Sequence, residues 1–214
     1  MRSLLEFFKW NSRLASPMAP SESADPNSAD NCFQRGLASI EKHAFNDAVA
    51  QFEEAIRLCS DHAPSFFNRG FSYTRLALDG RNGLSYSQLA SDAQRAIDLS
   101  IADYSEAIRL DPKYEIALSN RGAMYFFKGE NERALADLDE AIRLDPDDVI
   151  AIYTRGELRY AMGDFDASIR DLSEVLRRNP KDVGALEKRA YAFEKKGAHE
   201  LASQDRHQAR LFGR

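Results

Sequence analysis

The chain runs to 214 residues with a formal net charge of −5, and 43% of its residues are hydrophobic and 29% charged, the make-up of a folded globular protein. The acidic balance argues against a basic surface that tracks nucleic-acid phosphates, and two cysteines, Cys32 and Cys59, are too few for a disulfide scaffold and suit a reducing compartment. No stretch approaches the ~18 apolar residues of a membrane-spanning helix, and Glu6 and Lys9 interrupt what would be the apolar core of a secretory signal, so the sequence reads as cytoplasmic.

The first element is an amphipathic helix over residues 1–14. Arg2, Glu6, Lys9 and Arg13 make a narrow polar face, and Leu4, Leu5, Phe7, Phe8, Trp10 and Leu14 fill the rest. Residues 15–27 are rich in Pro, Ser and Ala and read as a flexible linker. An apolar helix on a tether must bury its face against the array that follows, in a groove, on a partner or on a membrane surface. Three basic residues against one acidic favour capping or partner docking over the membrane.

From residue 29 the chain repeats. Gly36, Gly70, Gly122 and Gly156 each follow an arginine, at spacings of 34, 52 and 34, and one further step of 34 reaches Ala190. Such a period marks an array of stacked units. In residues 115–148, apolar residues at helical spacing run to Lys128, Gly129 marks a turn, and a second amphipathic stretch carries Ala134, Leu135, Leu138, Ala141 and Ile142 before Asp145-Pro146 stops it. Each unit is therefore a helical hairpin. The boundaries fall near 29–62, 63–114, 115–148, 149–182 and 183–214.

The second unit carries 18 extra residues. Asp79-Gly80 and Asn82-Gly83 place a turn in it, and the stripe Leu89, Ala93, Ile97, Ile101, Tyr104, Ile108 predicts one long second helix over about 85–110. The overhang is either an added contact or a tolerated extension packed on its own hairpin.

The unit resembles a tetratricopeptide repeat, whose pattern is W-x2-L-G-x2-Y, A-x3-F, A, P. The third unit matches it at Gly122, Tyr125, Ala134, Ala141 and Pro146; the second matches at Gly70, Tyr73, Ala107 and Pro112. The first matches at Gly36, Ala48, Phe52 and Ala55, and the fourth at Gly156 and Pro180. The tryptophan is absent throughout, and Arg35, Arg69, Arg121, Arg155 and Arg189 stand where leucine is usual. The resemblance implies an all-α, right-handed superhelical solenoid of five hairpins, covering nearly everything outside the N-terminal segment.

Asp103, Asp137, Asp171 and Asp205 recur in step with Arg69, Arg121, Arg155 and Arg189, one of each per unit, while the first unit has Gln51 in the aspartate slot. A partner that recurs in phase predicts structural ion pairs within each hairpin, where guanidinium and carboxylate bond side by side.

In the family it resembles, first helices line a concave surface that holds protein segments. Carried over by position, that surface would contain Phe67, Asn68, Phe71, Asn120, Tyr153, Glu157, Tyr160 and Tyr191. Aromatics supply buried area and amides bond a peptide backbone. Members that clamp a C-terminal carboxylate need basic residues where Phe33, Phe67, Ile116 and Ile150 stand here, so binding of chaperone tails ranks low.

No catalytic or metal-binding set emerges. His43, His62, His199 and His207 are scattered, and His199-Glu200 lacks the second histidine of a zinc-protease motif because Ser203 occupies that place. There is no phosphate-binding glycine loop and no nucleophile elbow. The expectation is a non-catalytic scaffold or adaptor for a protein or peptide partner, without cofactor, metal, nucleic acid or small-molecule substrate. Its alternative is a regulatory subunit whose N-terminal helix blocks its own groove.

Overall fold

The computed structural model describes residues 28–79 and 86–213. The expected N-terminal helix and linker lie outside the described residues. Among the described residues the chain is all-α. The helices are α1 (Ala29–Glu41), α2 (Phe45–Leu58), α3 (Ala63–Leu78), α4 (Ser91–Leu110), α5 (Glu115–Lys128), α6 (Asn131–Leu144), α7 (Val149–Ala161), α8 (Phe165–Arg178), α9 (Val183–Lys195) and α10 (His199–Phe212), with one 3₁₀ turn at Tyr86–Gln88. They form two compact units, one ending at Lys128 and one beginning at Gly129.

In the first unit each helix packs on its chain neighbours, most extensively α3 on α4, and α1 also touches α3. In the second, α7 pairs with α8 and α9 with α10, α8 packs on α9, and α7 touches α9. First helices thus lie beside first helices within each unit, which is what stacked hairpins require.

The recurring glycines are there for close approach. A Cβ on Gly36 would sit 2.5 Å from the ring of Phe52, itself fully buried, and one on Gly156 would sit 3.1 Å from Leu172. A second set closes the turns inside the hairpins. Gly129, Gly163 and Gly197, 34 residues apart, have φ of 82°, 86° and 75°, a left-handed conformation that costs glycine nothing. The first hairpin makes the same turn with His43 at φ 57°. Between hairpins, Asp148 accepts N–H bonds from Ile150 and Ala151, and Asp182 accepts one from Ala185. These side chains satisfy donors that a helix start leaves open.

The inserted segment differs from its sequence expectation. The second helix begins at Ser91, not near residue 85, because Ala90 is extended (φ −63°, ψ 155°). The carbonyls that would continue a helix backwards are bonded elsewhere: the Gln94 side-chain amide donates to the backbone oxygens of Tyr86 and Leu89 at 3.0 and 3.2 Å. Leu89 is buried all the same, so the apolar stripe persists across a break in the backbone. The segment folds back on its own unit. Tyr86 meets Phe127 edge-on at 6.3 Å, and Lys128 pairs with Asp98 at 2.7 Å while lying over the Tyr86 ring.

A candidate protein-binding face

The arginines of the first helices form a ladder with two rails. Arg69 donates from Nε and Nη2 to the two carboxylate oxygens of Asp103 at 2.9 and 2.7 Å. Arg155 holds Asp171 in the same way at 3.0 and 2.8 Å, and Arg189 holds Asp205 at 2.8 and 2.7 Å. Arg121 and Asp137 fall in different units. The remaining Nη1 reaches the hairpin before: Arg121 donates to Ser105 Oγ, Arg155 to Asp139 and Arg189 to Ser173 Oγ, at 3.0, 2.7 and 3.0 Å. Ser105, Asp139 and Ser173 were missed in the sequence reading, though they too recur every 34 residues, two places after each ladder aspartate. Each of these arginines therefore ties a first helix to a preceding second helix. Burial pushes the Asp103 carboxyl up, and Arg69 pulls it back. With side chains 19% and 8% exposed, this pair is largely out of water.

The expected groove residues divide by unit. Phe67, Asn68, Phe71 and Asn120 are buried, which corrects the expectation that they lie open on a surface. Phe67 is covered by Tyr104 and by Tyr114 from the turn before α5, with ring centroids 5.8 and 5.1 Å away. The Asn68 amide donates to Pro64 O of its own helix at 2.9 Å. The Arg75 guanidinium lies over Phe45 and Phe71. Bulky aromatics in these slots found apolar neighbours and were absorbed into the core.

In the second unit the three expected tyrosines stay partly open while Glu157 is buried, which corrects the expectation for that residue too. Tyr153 and Tyr160 on α7 are half-buried, and Tyr191 on α9 is 46% exposed. Tyr153 lies against the α9 backbone at Gly184, where an added Cβ would meet its hydroxyl at 3.1 Å. Glu157 pairs with Lys188 across α7 and α9 at 2.6 Å. Arg206 stacks on Tyr191 at 5.6 Å and bonds Glu194 at 2.6 Å. Tyr153, Glu157 and Tyr160 share one face of α7, and Gly184, Lys188 and Tyr191 share one face of α9. Together they make a strip of tyrosine rings with an ion pair in the middle. Lys188 also escaped the sequence reading, since asparagine or threonine holds its slot in the three hairpins before it.

Two family models of the tetratricopeptide repeat match, one over residues 122–209 and one over 88–149, together more than half of the chain. The chain belongs to the tetratricopeptide-repeat family. Solved structures agree on the fold. A crystal structure of MamA superposes with a TM-score of 0.70 at 19% identity, over 83% of this chain and 94% of that one. A structure of YrrB, described as a TPR protein with an unusual peptide-binding site, gives 0.68 at 15% identity, over 88% of each. The fold is an α solenoid of helical hairpins. Among curated proteins, the Hsp70-Hsp90 organizing protein of Triticum aestivum is 26% identical over 111 residues, 52% of this chain. Hsp70-Hsp90 organizing protein 3 of Arabidopsis thaliana is 24% identical over the same length. The chain spans only 16% and 17% of these two relatives.

Among the described residues no group of three or more His, Cys, Asp or Glu side chains is placed to hold a metal ion, and no helix is long and apolar enough to cross a membrane. On the second unit the side chains in question are three tyrosine rings, Tyr153, Tyr160 and Tyr191, and the Glu157–Lys188 ion pair.

Proposed function

We propose that the protein is a non-catalytic scaffold that holds an extended segment of a partner protein on the α7–α9 face. The observation that carries this reading is the accessible row of Tyr153, Tyr160 and Tyr191 around the Glu157–Lys188 pair. Tyrosine gives large contact area with few rotatable bonds and a hydroxyl for the partner's backbone. The Glu157–Lys188 pair can open to accept a charged side chain of the segment. Family membership supports a protein partner, and two free cysteines suit the cytoplasm as its place of work.

The test is selection from a random peptide library on the full chain, repeated on a Tyr153→Ala, Tyr191→Ala variant whose melting curve shows it folded. Peptides that bind the first and lose ~1–3 kcal/mol on the second would support the face, since anchor aromatics contribute on that scale. Peptides that bind both equally would overturn it.

Likeness to chaperone organizing proteins suggests a second reading, an adaptor for the C-terminus of a chaperone. The same peptides made as free acids and as amides separate the two. Recognition of a terminal carboxylate would make the acid form bind far better, whereas a face built on tyrosines binds both alike.

A further inference from the structure

The solvent face of the last helix breaks a pattern that the other second helices keep. At the same register on α2, α4, α6 and α8 stand the exposed pairs Glu54–Arg57, Glu106–Arg109, Glu140–Arg143 and Glu174–Arg177, with N–O distances of 2.6, 2.6, 2.6 and 2.8 Å. On α10 the same two positions are Gln208 and Leu211. Leu211 is 53% exposed and Leu201, further back on the helix, is 45% exposed. Gln204 lies between them and is exposed as well. At 100° per residue these four side chains fall within about 80° of one another. They form one uncharged strip, clear of Ala202, Asp205 and Ala209, which face the core.

The strip is symmetric along the helix. Leu201 and Leu211 stand five places either side of Arg206, and Gln204 and Gln208 stand two places either side. When a second copy of α10 is laid antiparallel on the first about a two-fold axis, Leu201 meets Leu211 of the other copy and Gln204 meets Gln208. A two-fold contact requires a surface complementary to itself. Leucine against leucine and amide against amide meet that requirement, and neither places like charges face to face. Exchanging the Glu–Arg pair of the other hairpins for Gln and Leu removes the charges from this strip of the helix.

We infer that α10 is a self-association surface whose occupant is the α10 helix of a second copy of this chain, packed antiparallel. One helix face is smaller than the ~800 Å² per partner of a standard stable interface. Association is therefore weak, and two partner-binding faces come together only where the protein is locally concentrated.

The experiment is sedimentation equilibrium of the full chain from ~10 μM to ~1 mM, with far-UV circular dichroism to verify folding; the substituted side chains are exposed, so the hairpin should stand. Wild type should show a monomer–dimer equilibrium. Leu201→Glu with Leu211→Glu brings glutamates together at both ends of the contact and should weaken the dimer at least tenfold. Leu201→Lys with Leu211→Glu places lysine against glutamate only in the antiparallel register, and should associate at least tenfold more tightly than the double glutamate. A monomeric wild type at ~1 mM would overturn the inference, as would a dimer indifferent to the double glutamate. A Lys–Glu variant no tighter than the double glutamate would rule out the antiparallel register and with it the proposal.

Discussion

Phe67 on α3 and Tyr153 on α7 occupy the same position in their repeats, and the two units treat them differently. Phe67 is closed off by Tyr104 and Tyr114, while Tyr153 rests on the bare backbone at Gly184 with its ring half in solvent. Phe71 is buried, and its counterpart Glu157 meets Lys188. The first unit buries its first-helix aromatics within itself, and the second leaves its tyrosines partly in solvent. A repeat position therefore sets the direction of a side chain, and the neighbours decide whether it ends as core or as surface.

The ion pairs give the strongest way to test that contrast. Asp103 is held by Arg69, whereas Asp171 is held by both Arg155 and Arg159, the latter at 2.8 Å. Removing Arg69 strands a buried carboxylate, so Arg69→Met should cost ~3–5 kcal/mol. Adding Asp103→Asn should recover part of that loss. Arg155→Met should cost clearly less, because Arg159 stays on the carboxylate. Urea unfolding of these three variants and of Asp103→Asn alone gives all the values. Equal costs at the two sites would mean that the second arginine contributes nothing, and strict additivity at Arg69 and Asp103 would remove the pairing as a source of stability.

The glycines sharpen the comparison at smaller scale. At Gly36 a new methyl would meet the Phe52 ring at 2.5 Å, and that ring is itself fully buried. At Gly156 the first contact is Leu172 at 3.1 Å, a gap that a shift of a few tenths of an ångström relieves. Gly36→Ala should therefore destabilise by ~1–3 kcal/mol as an overpacked core does. Gly156→Ala should be near neutral, since alanine also favours the helix. Melting temperatures in the reverse order would show that the first hairpin yields more readily than its packing implies.

The period itself was legible because it rests on local chemistry: a glycine where helices touch, a glycine where the turn is left-handed, a proline where a helix must stop. The arginine–aspartate ladder was legible because both members keep step. Its other rail, Ser105, Asp139 and Ser173, kept step too, but serine and aspartate alternate there and residue type hid the register. Depth was not legible. A helical wheel gives the angle of Phe67 and says nothing of Tyr114, which arrives from the next turn and covers it. The start of α4 was misplaced for a related reason: Leu89 continues the apolar stripe in space although the chain has left the helix at Ala90.

The histidines offer the finest contrast. His199 and His207 in the second unit are exposed, whereas His62 at the start of α3 is half-buried, edge-on to Phe33 at 5.0 Å and hydrogen-bonded to Ser65 Oγ at 2.7 Å. Burial lowers its pKa below the usual 6.5, and Asp30 and Asp61 pull partly the other way. The sign follows from linkage. A group whose pKa is lower when folded binds fewer protons in the native state, so stability rises with pH across the interval between the two values. The neutral ring's contribution is complete above pH 6.5 and is lost as pH falls below it. His62→Gln removes the titration and keeps a polar side chain of similar length. Thermal unfolding of both proteins from pH 7.5 to pH 5 should show wild type losing stability faster on the acid side, since the carboxylates common to both cancel in the difference. Parallel curves would mean that Asp30 and Asp61 offset burial in full. A wild type that gains relative to the variant on acidification would mean that they outweigh it, and that His62 is an anchor in its charged form.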